Sequence, residues 1–313
     1  MGDVSLLPQG CSQQCASVTQ RDERVGCRRF AIPVISIVRV MDPRPLLHTS
    51  VLATLLLFHA ASGASATSID QTDCGKRVGA ILAHVYPSAR PITGGYVLGD
   101  QLIGLDPTAS ASVACRVWPA HPDLTLLAVP LISSDDRGYG DVALFVLQTD
   151  TLAIKAQSLL NDRASDDDFP LTAVDIEPVD DRLAAQGQMF GLRLERQVAD
   201  QNGATRAEAL YLLAFADGRI RERLSGLRTA EVNETYRTES CKGSRLVRSA
   251  TLSLLNSRHH GYPDIDIIEQ ANDSQQIGAA KHCADRASQS TKHFQLTFDG
   301  THYPLPKALK AIE

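Results

Sequence analysis

The residues best suited to chemistry in this chain of 313 residues lie together in the segment SRHHGYPDIDIIEQ, Ser257 to Gln270. Two adjacent histidines could bind a transition metal or move a proton, and the carboxylates that follow could complete either kind of site. Side chains that are adjacent on an extended strand point to opposite faces, so His259 and His260 reach one ion only if the loop kinks. The entry to a β-strand is the simpler interpretation, with Gly261 and Pro263 shaping the turn.

A second segment has the same frame of glycine, tyrosine and acid. SSDDRGYGD, which ends at Asp141, aligns with NSRHHGYPD, which ends at Asp264. Strand alternation after the turn places Asp264 and Asp266 on one face, and Ile265 and Ile267 on the other. The candidate binding residues are Tyr139, His259, His260, Tyr262 and Asp264, and the candidate metal ligands are Asp135, Asp136 and Asp141.

The run HHGYPDIDII resembles the end of an FG-GAP or VCBS-type repeat, in which an Asp-rich loop precedes a β-branched strand. The resemblance implies a propeller-like fold and calcium held by acidic loop residues. Imidazole is a poor calcium ligand, so Asp135 and Asp136 are better candidates than the two histidines. More broadly the chain resembles exported bacterial β-rich proteins, and some FG-GAP-like exported proteins act as inhibitors or immunity proteins against cell-wall hydrolases.

Acidic residues also cluster in NDRASDDDFP and AVDIEPVDD. Paired carboxylates could serve glycoside hydrolysis, whereas acids between apolar runs are typical of solvated loops. Residues 67–313 contain no nucleophile elbow, P-loop, H-E-x-x-H or dinucleotide glycine pattern. The acids of these two segments are Asp162, Asp166, Asp167, Asp168, Asp175, Glu177, Asp180 and Asp181.

Trp118 follows Cys115 by three residues and precedes a loop bounded by proline. We expect it in the core, packed on a disulfide. The alternative is a sugar-stacking surface that Trp118 forms with Tyr139, Tyr262 and Tyr303, because aromatic faces often line binding patches.

The segment Met41 to Ala66 has a charged start at Arg44, a Leu-rich centre and an Ala-Ser-Ala ending. This order is typical of a secretory signal peptide, and we expect cleavage after Ala66. The apolar run is too short and too interrupted to predict a stable membrane anchor. The residues before Met41 fit a misassigned start, so residues 1–66 are interpreted as a leader and residues 67–313 as a single disulfide-stapled domain.

The predicted mature chain keeps four cysteines, an even number without a C-x-x-C pair. Three pairings are possible, and short loop closure favours Cys74 with Cys115 and Cys241 with Cys283. Removing the six basic and four acidic residues of the leader leaves 25 basic and 32 acidic residues. The resulting charge disfavours nucleic acid and suits a basic protein partner.

One helix is predicted, in CGKRVGAILAHVYP, because its apolar residues recur at helical spacing before Pro87. From Val113 onward, β-rich runs alternate with turn residues roughly every ten positions, which predicts antiparallel strands. The fold class is therefore mainly β, an antiparallel multi-sheet domain that is propeller-like or a sandwich, with one N-terminal helix; the recurring units favour the propeller slightly. Hairpin turns are predicted at Thr149–Asp150, Asp217–Gly218 and Asp299–Gly300.

These features predict an exported, non-enzymatic binding protein, periplasmic or secreted, whose partner is a protein or a component of the cell envelope. Inhibition of a cell-wall hydrolase is the most concrete form of this hypothesis. The alternative is an exported hydrolase that uses the acidic loop carboxylates and could use calcium as a cofactor.

Overall fold

Antiparallel strands and one short helix form the part of the chain that the computed structural model describes. The described residues belong to one structural unit, Ala64–Glu313. The predicted leader and its cleavage site lie outside the described residues, as do Asp135 and Asp136. The structure describes residues 74–106, 111–134, 139–165, 168–179, 183, 188–235, 241–279 and 282–311.

The predicted helix is confirmed. A 3-10 turn, Gly75–Arg77, leads into α1, Val78–Val85. Ile81 and Leu82 are buried, and the helix ends shortly before Pro87, which cannot continue it. Within the described ranges, no helix is long and apolar enough to cross a bilayer.

The first sheet has seven antiparallel strands, in the order β1-β2-β3-β5-β6-β7, with β4 paired to β5. It begins with three short strands and then lengthens. Its strands are β1 (Arg90–Ile92), β2 (Gly95–Leu98), β3 (Gln101–Gly104), β4 (Ala114–Val117), β5 (Leu124–Ser133), β6 (Tyr139–Gln148) and β7 (Ile154–Ser165).

The second sheet is a meander of seven strands in which each strand pairs with the next along the chain. Its strands are β8 (Leu171–Pro178), β9 (Gln188–Asp200), β10 (Gly203–Ala216), β11 (Arg219–Thr235), β12 (Ser244–His259), β13 (Tyr262–Ala279) and β14 (His282–Leu296).

The two sheets pack face to face, and α1 covers the outer face of the first sheet. Strand β5 is buried on both of its faces, which explains its nearly continuous apolar sequence. Leu126 joins the core between the sheets together with Phe190, whereas Leu127 packs in the cluster that contains Ile81. This packing is a sandwich and not a ring of blades, so the propeller that the recurring units slightly favoured is wrong.

Two of the predicted hairpin turns are confirmed. The segment that contains Thr149 and Asp150 joins β6 to β7. Asp217 and Gly218 join β10 to β11 directly, with φ angles of 52° and 68°. Positive φ at both central residues matches the twist of the flanking strands, and glycine adopts it at little cost.

The third predicted hairpin is wrong in part. The chain turns at Asp299–Gly300, but no returning strand follows within the described residues. Instead, the tail touches β11 at isolated points, such as the Tyr303 N–H that donates to the Arg223 carbonyl at 2.7 Å. Pro304 and Pro306 lack the N–H groups that a paired strand needs.

Both predicted disulfides are present. Cys74 pairs with Cys115 and joins the start of the helical segment to β4. Cys241 pairs with Cys283 and joins the approach to β12 to the start of β14. Structural disulfides persist in oxidising compartments, so the pairs indicate a non-cytoplasmic environment.

Trp118 occupies the core, as expected, with 3% of its surface exposed. Its predicted contact with the disulfide is wrong. The indole packs edge-on against Phe190 of the second sheet, with ring centroids 5.5 Å apart. Cys115 belongs to the cluster on the other face of the first sheet, because the two residues point to opposite sides of the chain.

The second sheet separates into two halves between β11 and β12. These strands pair only where Ala230–Thr235 faces Ser244–Ser249, and beyond Ser249 β12 pairs with β13 alone. The C-terminal tail fills part of the opening. The buried Arg228 side chain holds it there by donating to the Ala308 carbonyl at 2.6 Å and to the Glu269 carboxylate.

Candidate functional site

The segment with the two adjacent histidines forms the tight turn between β12 and β13. His259 pairs with Tyr262, so His260 and Gly261 are its two central residues. Their φ angles are 49° and 85°, which is the pattern of a two-residue hairpin. The interpretation of this segment as a strand entry is therefore confirmed.

Asp264 is the most buried polar residue of this turn, with none of its surface exposed. Its carboxylate accepts three side-chain hydrogen bonds, from Ser257 at 2.6 Å, His259 Nδ1 at 2.7 Å and Gln295 at 3.1 Å. Burial favours the neutral acid, but the three hydrogen bonds together outweigh it and lower the pKa of Asp264. Asp264 is therefore an ionised anchor that joins three strand segments.

His259 is the exposed member of this group. About half of its side chain, 52%, is exposed, and Nδ1 is fixed by Asp264. A histidine oriented by a carboxylate has the geometry of a general base. However, Ser257 donates to Asp264 and not to the histidine, so these three residues do not form the relay of a serine hydrolase. The arrangement orients the imidazole without supplying a nucleophile.

The two adjacent histidines diverge, as strand geometry predicts. His259 turns toward Asp264, whereas the ring of His260 lies against Gly300, about 3.8 Å from the position that a Cβ would take there. Among the described residues, no group of three or more His, Cys, Asp or Glu side chains is arranged to hold a metal ion.

Tyr262 lies in the core beneath this turn. Only 3% of its surface is exposed, and its ring packs on Phe298 with centroids 4.2 Å apart. Tyr303 is buried beside them and donates a hydrogen bond to the Pro263 carbonyl at 2.7 Å. Burial, followed by the charge of Asp264, raises the pKa of the Tyr303 hydroxyl. The two tyrosines therefore brace the turn and offer no exposed stacking face.

Tyr139 and Asp141 lie elsewhere. Tyr139 opens β6 in the first sheet and is 54% exposed, so it is the accessible aromatic residue of the candidate set. Asp141 is half-buried and accepts a hydrogen bond from the Asp162 backbone N–H at 2.9 Å. The other two candidate metal ligands lie outside the described residues. Tyr139 and Tyr262 thus open strands in different sheets, so the candidate residues are not brought together in one sheet.

The acidic segments are divided between exposed and paired positions. Asp162, Asp168 and Asp175 are exposed, and Glu177 is half-buried. The Arg193 guanidinium binds Glu177 through both carboxylate oxygens. The remaining acids of the two segments, Asp166, Asp167, Asp180 and Asp181, lie outside the described residues.

Arg193 is the centre of a charged cluster that the sequence did not reveal. Besides Glu177, its guanidinium binds the Glu208 carboxylate and the Thr229 hydroxyl, the latter at 2.9 Å. Burial lowers the pKa of Arg193, but the two carboxylates outweigh that effect and raise it. We call Glu177, Arg193 and Glu208 the carboxylate-arginine trio; its formal charge is one negative unit.

A groove of about 640 Å³ adjoins this trio, between the β8–β10 part and the β12–β13 part of the second sheet. Glu177 and Arg193 line its polar end. Leu210 of β10 and Leu252 and Leu254 of β12 are among its apolar walls. These residues are far apart in sequence. They meet because β12 stops pairing with β11 and its leucines then face those of β10.

A second surface that the sequence did not reveal is the outer edge of the second sheet. Strand β14 is the last strand of that sheet, and every residue from His282 to His293 is exposed. From Ala284 to His293, the outer edge pairs with no other strand in the part of the chain that is described. Such an edge offers a row of backbone donors and acceptors.

Comparison of the chain with known protein families, with curated proteins and with solved structures finds no match.

Proposed function

We propose that the protein is exported and acts as a non-enzymatic binding protein whose partner is a protein of the cell envelope. The exposed edge of β14 carries this proposal. A partner strand that adds to such an edge gains main-chain hydrogen bonds along its length, and alternating side chains give the pairing its specificity.

The composition of the edge supports selective pairing and not general aggregation. Asp285, Arg286 and Lys292 place both signs of charge along an otherwise small and polar strand. Charged side chains protect an edge against indiscriminate pairing, so a partner strand must carry matching charges. The Cys241–Cys283 disulfide lies at one end of this surface and limits its motion.

The most concrete form of the proposal is an inhibitor or immunity-type protein against a cell-wall hydrolase. The acidic balance of residues 67–313 would draw a basic hydrolase toward the surface and increase the association rate. The exposed edge would then pair with an extended segment of the enzyme.

The test measures clearance of a cell-wall suspension by a panel of basic wall hydrolases, with and without residues 67–313. Ser288 and Gln289 are adjacent in β14, so the N–H of one points toward β13 and that of the other toward the open edge. Ser288→Pro and Gln289→Pro are therefore both made, and melting identifies the variant that keeps the fold. Alanine at the same position is the matched control.

The proposal predicts that the wild type and the alanine variant slow at least one hydrolase. The folded proline variant should lose about tenfold or more in apparent affinity, because it lacks an edge donor and its ring blocks the partner strand. Failure of the wild type to slow any hydrolase, equal inhibition by the proline and alanine variants, or clearance by the protein alone would contradict the proposal.

A further inference from the structure

The groove beside the carboxylate-arginine trio has the dimensions of a small-molecule site. Its volume of about 640 Å³ lies within the range of pockets that hold single organic ligands, roughly 300–1,000 Å³. It is a different surface from the β14 edge, because its walls come from β8 to β10 on one side and from β12 and β13 on the other.

The apolar part of the groove is a continuous strip. Leu252 and Leu254 lie two positions apart on β12, so their side chains share a face, and both are half-buried. Leu210 and Leu212 form the opposite wall in the same way on β10. A hydrocarbon chain between these walls would remove apolar surface from water on both sides, which is the principal driving force for such binding.

The polar end of the groove determines which head group fits. Arg193 already binds both oxygens of Glu177, one oxygen of Glu208 and the Thr229 hydroxyl. These contacts use four of the five guanidinium N–H groups, so an anionic head group would meet one remaining donor beside two carboxylates. The trio has a net negative charge, and so does the wider group that includes Arg206 and Glu195, so a cationic head group gains attraction where an anionic one meets repulsion.

We propose that this groove binds an amphiphile with one hydrocarbon chain and a cationic amine head group. The chain lies between the leucine walls, and the ammonium group lies at the Glu177 carboxylate, which shares the Arg193 guanidinium with Glu208. Lipid-derived amines and synthetic alkylammonium ions share this chemistry.

The experiment uses residues 67–313 and a neutral naphthylamine fluorophore, displaced by dodecylammonium, dodecanol or dodecanoate below the concentration at which each forms micelles. The three competitors share a chain length and differ in head-group charge. The proposal predicts that dodecylammonium displaces the fluorophore at a concentration about tenfold or more below that of dodecanoate, with dodecanol between them.

Two variants locate the site. Glu208→Gln removes the net negative charge of the trio and should bring the dodecylammonium and dodecanol curves together, whereas Glu234→Gln, the same change at the separate Arg245 pair, should leave the preference intact. Leu252→Arg should fill the groove and abolish binding of the fluorophore, so that no displacement is observed. Leu159→Arg, at a leucine of β7 that is 47% exposed, is its control.

A melting curve of each variant shows whether it is folded. If Leu252→Arg is unfolded, Glu208→Gln still tests whether the groove selects a cationic head group. Equal displacement by dodecylammonium and dodecanoate, an unchanged preference in Glu208→Gln, or no fluorophore binding by the wild type would overturn the proposal. Because no strand partner takes part, these outcomes are independent of the β14 edge.

Discussion

His259 Nδ1 lies 2.7 Å from Oδ1 of the fully buried Asp264, and this contact links the exposed turn between β12 and β13 to the interior of the second sheet. The carboxylate is ionised at neutral pH, because its hydrogen bonds lower its pKa despite burial. The carboxylate fixes the side chains of Ser257, His259 and Gln295, so this contact stabilises the hairpin.

Stability should therefore fall in acid. The pKa of Asp264 is lower in the folded chain than the value of about 3.9 for an unfolded aspartate. Its contribution is complete above that value and is lost as the pH falls through the folded pKa. The pKa values of Asp200 and Asp299 are also lowered, and backbone hydrogen bonds are the largest cause in both.

Asp264→Ala should lower the free energy of unfolding at pH 7 by about 2–3 kcal/mol, because Ser257, His259 and Gln295 lose their common acceptor. The variant should also show a shallower acid dependence than the wild type. Asp266→Ala, two residues along the same strand and half-buried, is the control. Urea titrations between about pH 3 and 7, a range that includes the pKa of an unfolded aspartate, measure both effects. Parallel plots of stability against pH for the wild type and Asp264→Ala would contradict the assigned role.

Arg193→Met should destabilise the fold by about 2–4 kcal/mol, because it leaves Glu177 and Glu208 facing each other without a cation. The matched change, Arg206→Met, removes an arginine that is 48% exposed and pairs with Glu195, and should cost under about 1 kcal/mol. Urea midpoints at low and high salt compare the two. Equal losses would show that the trio is no more tightly coupled than a surface pair.

Replacing both Cys241 and Cys283 with serine should loosen the exposed ends of β13 and β14 before it affects the core. These strand ends bury little apolar surface, so backbone hydrogen bonds and the disulfide hold them. Hydrogen exchange should accelerate there while β5 and β10 remain protected.

The double serine variant of Cys74 and Cys115 is the control for that experiment. Its disulfide joins α1 to the first sheet, so exchange at the end of β14 should stay unchanged. Uniform loss of protection across the chain in the Cys241 and Cys283 variant would show that the strand ends do not behave as a separate unit.

Local features of the fold were predictable because local physics decides them. The Asp217–Gly218 turn follows from the low cost of positive φ, and the burial of Ile265 and Ile267 follows from strand alternation. The disulfide pairs follow from loop closure within each half of the chain.

The groove could not be predicted in this way. It depends on where β11 stops pairing with β12, and neither strand carries a signal for that point within its own pattern. Glu177 and Arg193 lie on neighbouring strands, so their contact is local. Leu254 lies on a distant strand and reaches the same groove only because β12 has left β11. Distant contacts of this kind arise from packing, which periodicity does not encode.

We propose that the chain loses its leader during export; the remaining domain folds around two disulfides. Intact-mass analysis, with alkylation of free thiols, tests this on the chain expressed from Met41 in a bacterium that has a periplasm. Cleavage after Ala66 predicts a periplasmic product that begins at Thr67 and has no reactive thiol at Cys74, Cys115, Cys241 or Cys283. A cytoplasmic product that keeps residues 41–66, or one whose cysteines are alkylated, would contradict the proposal.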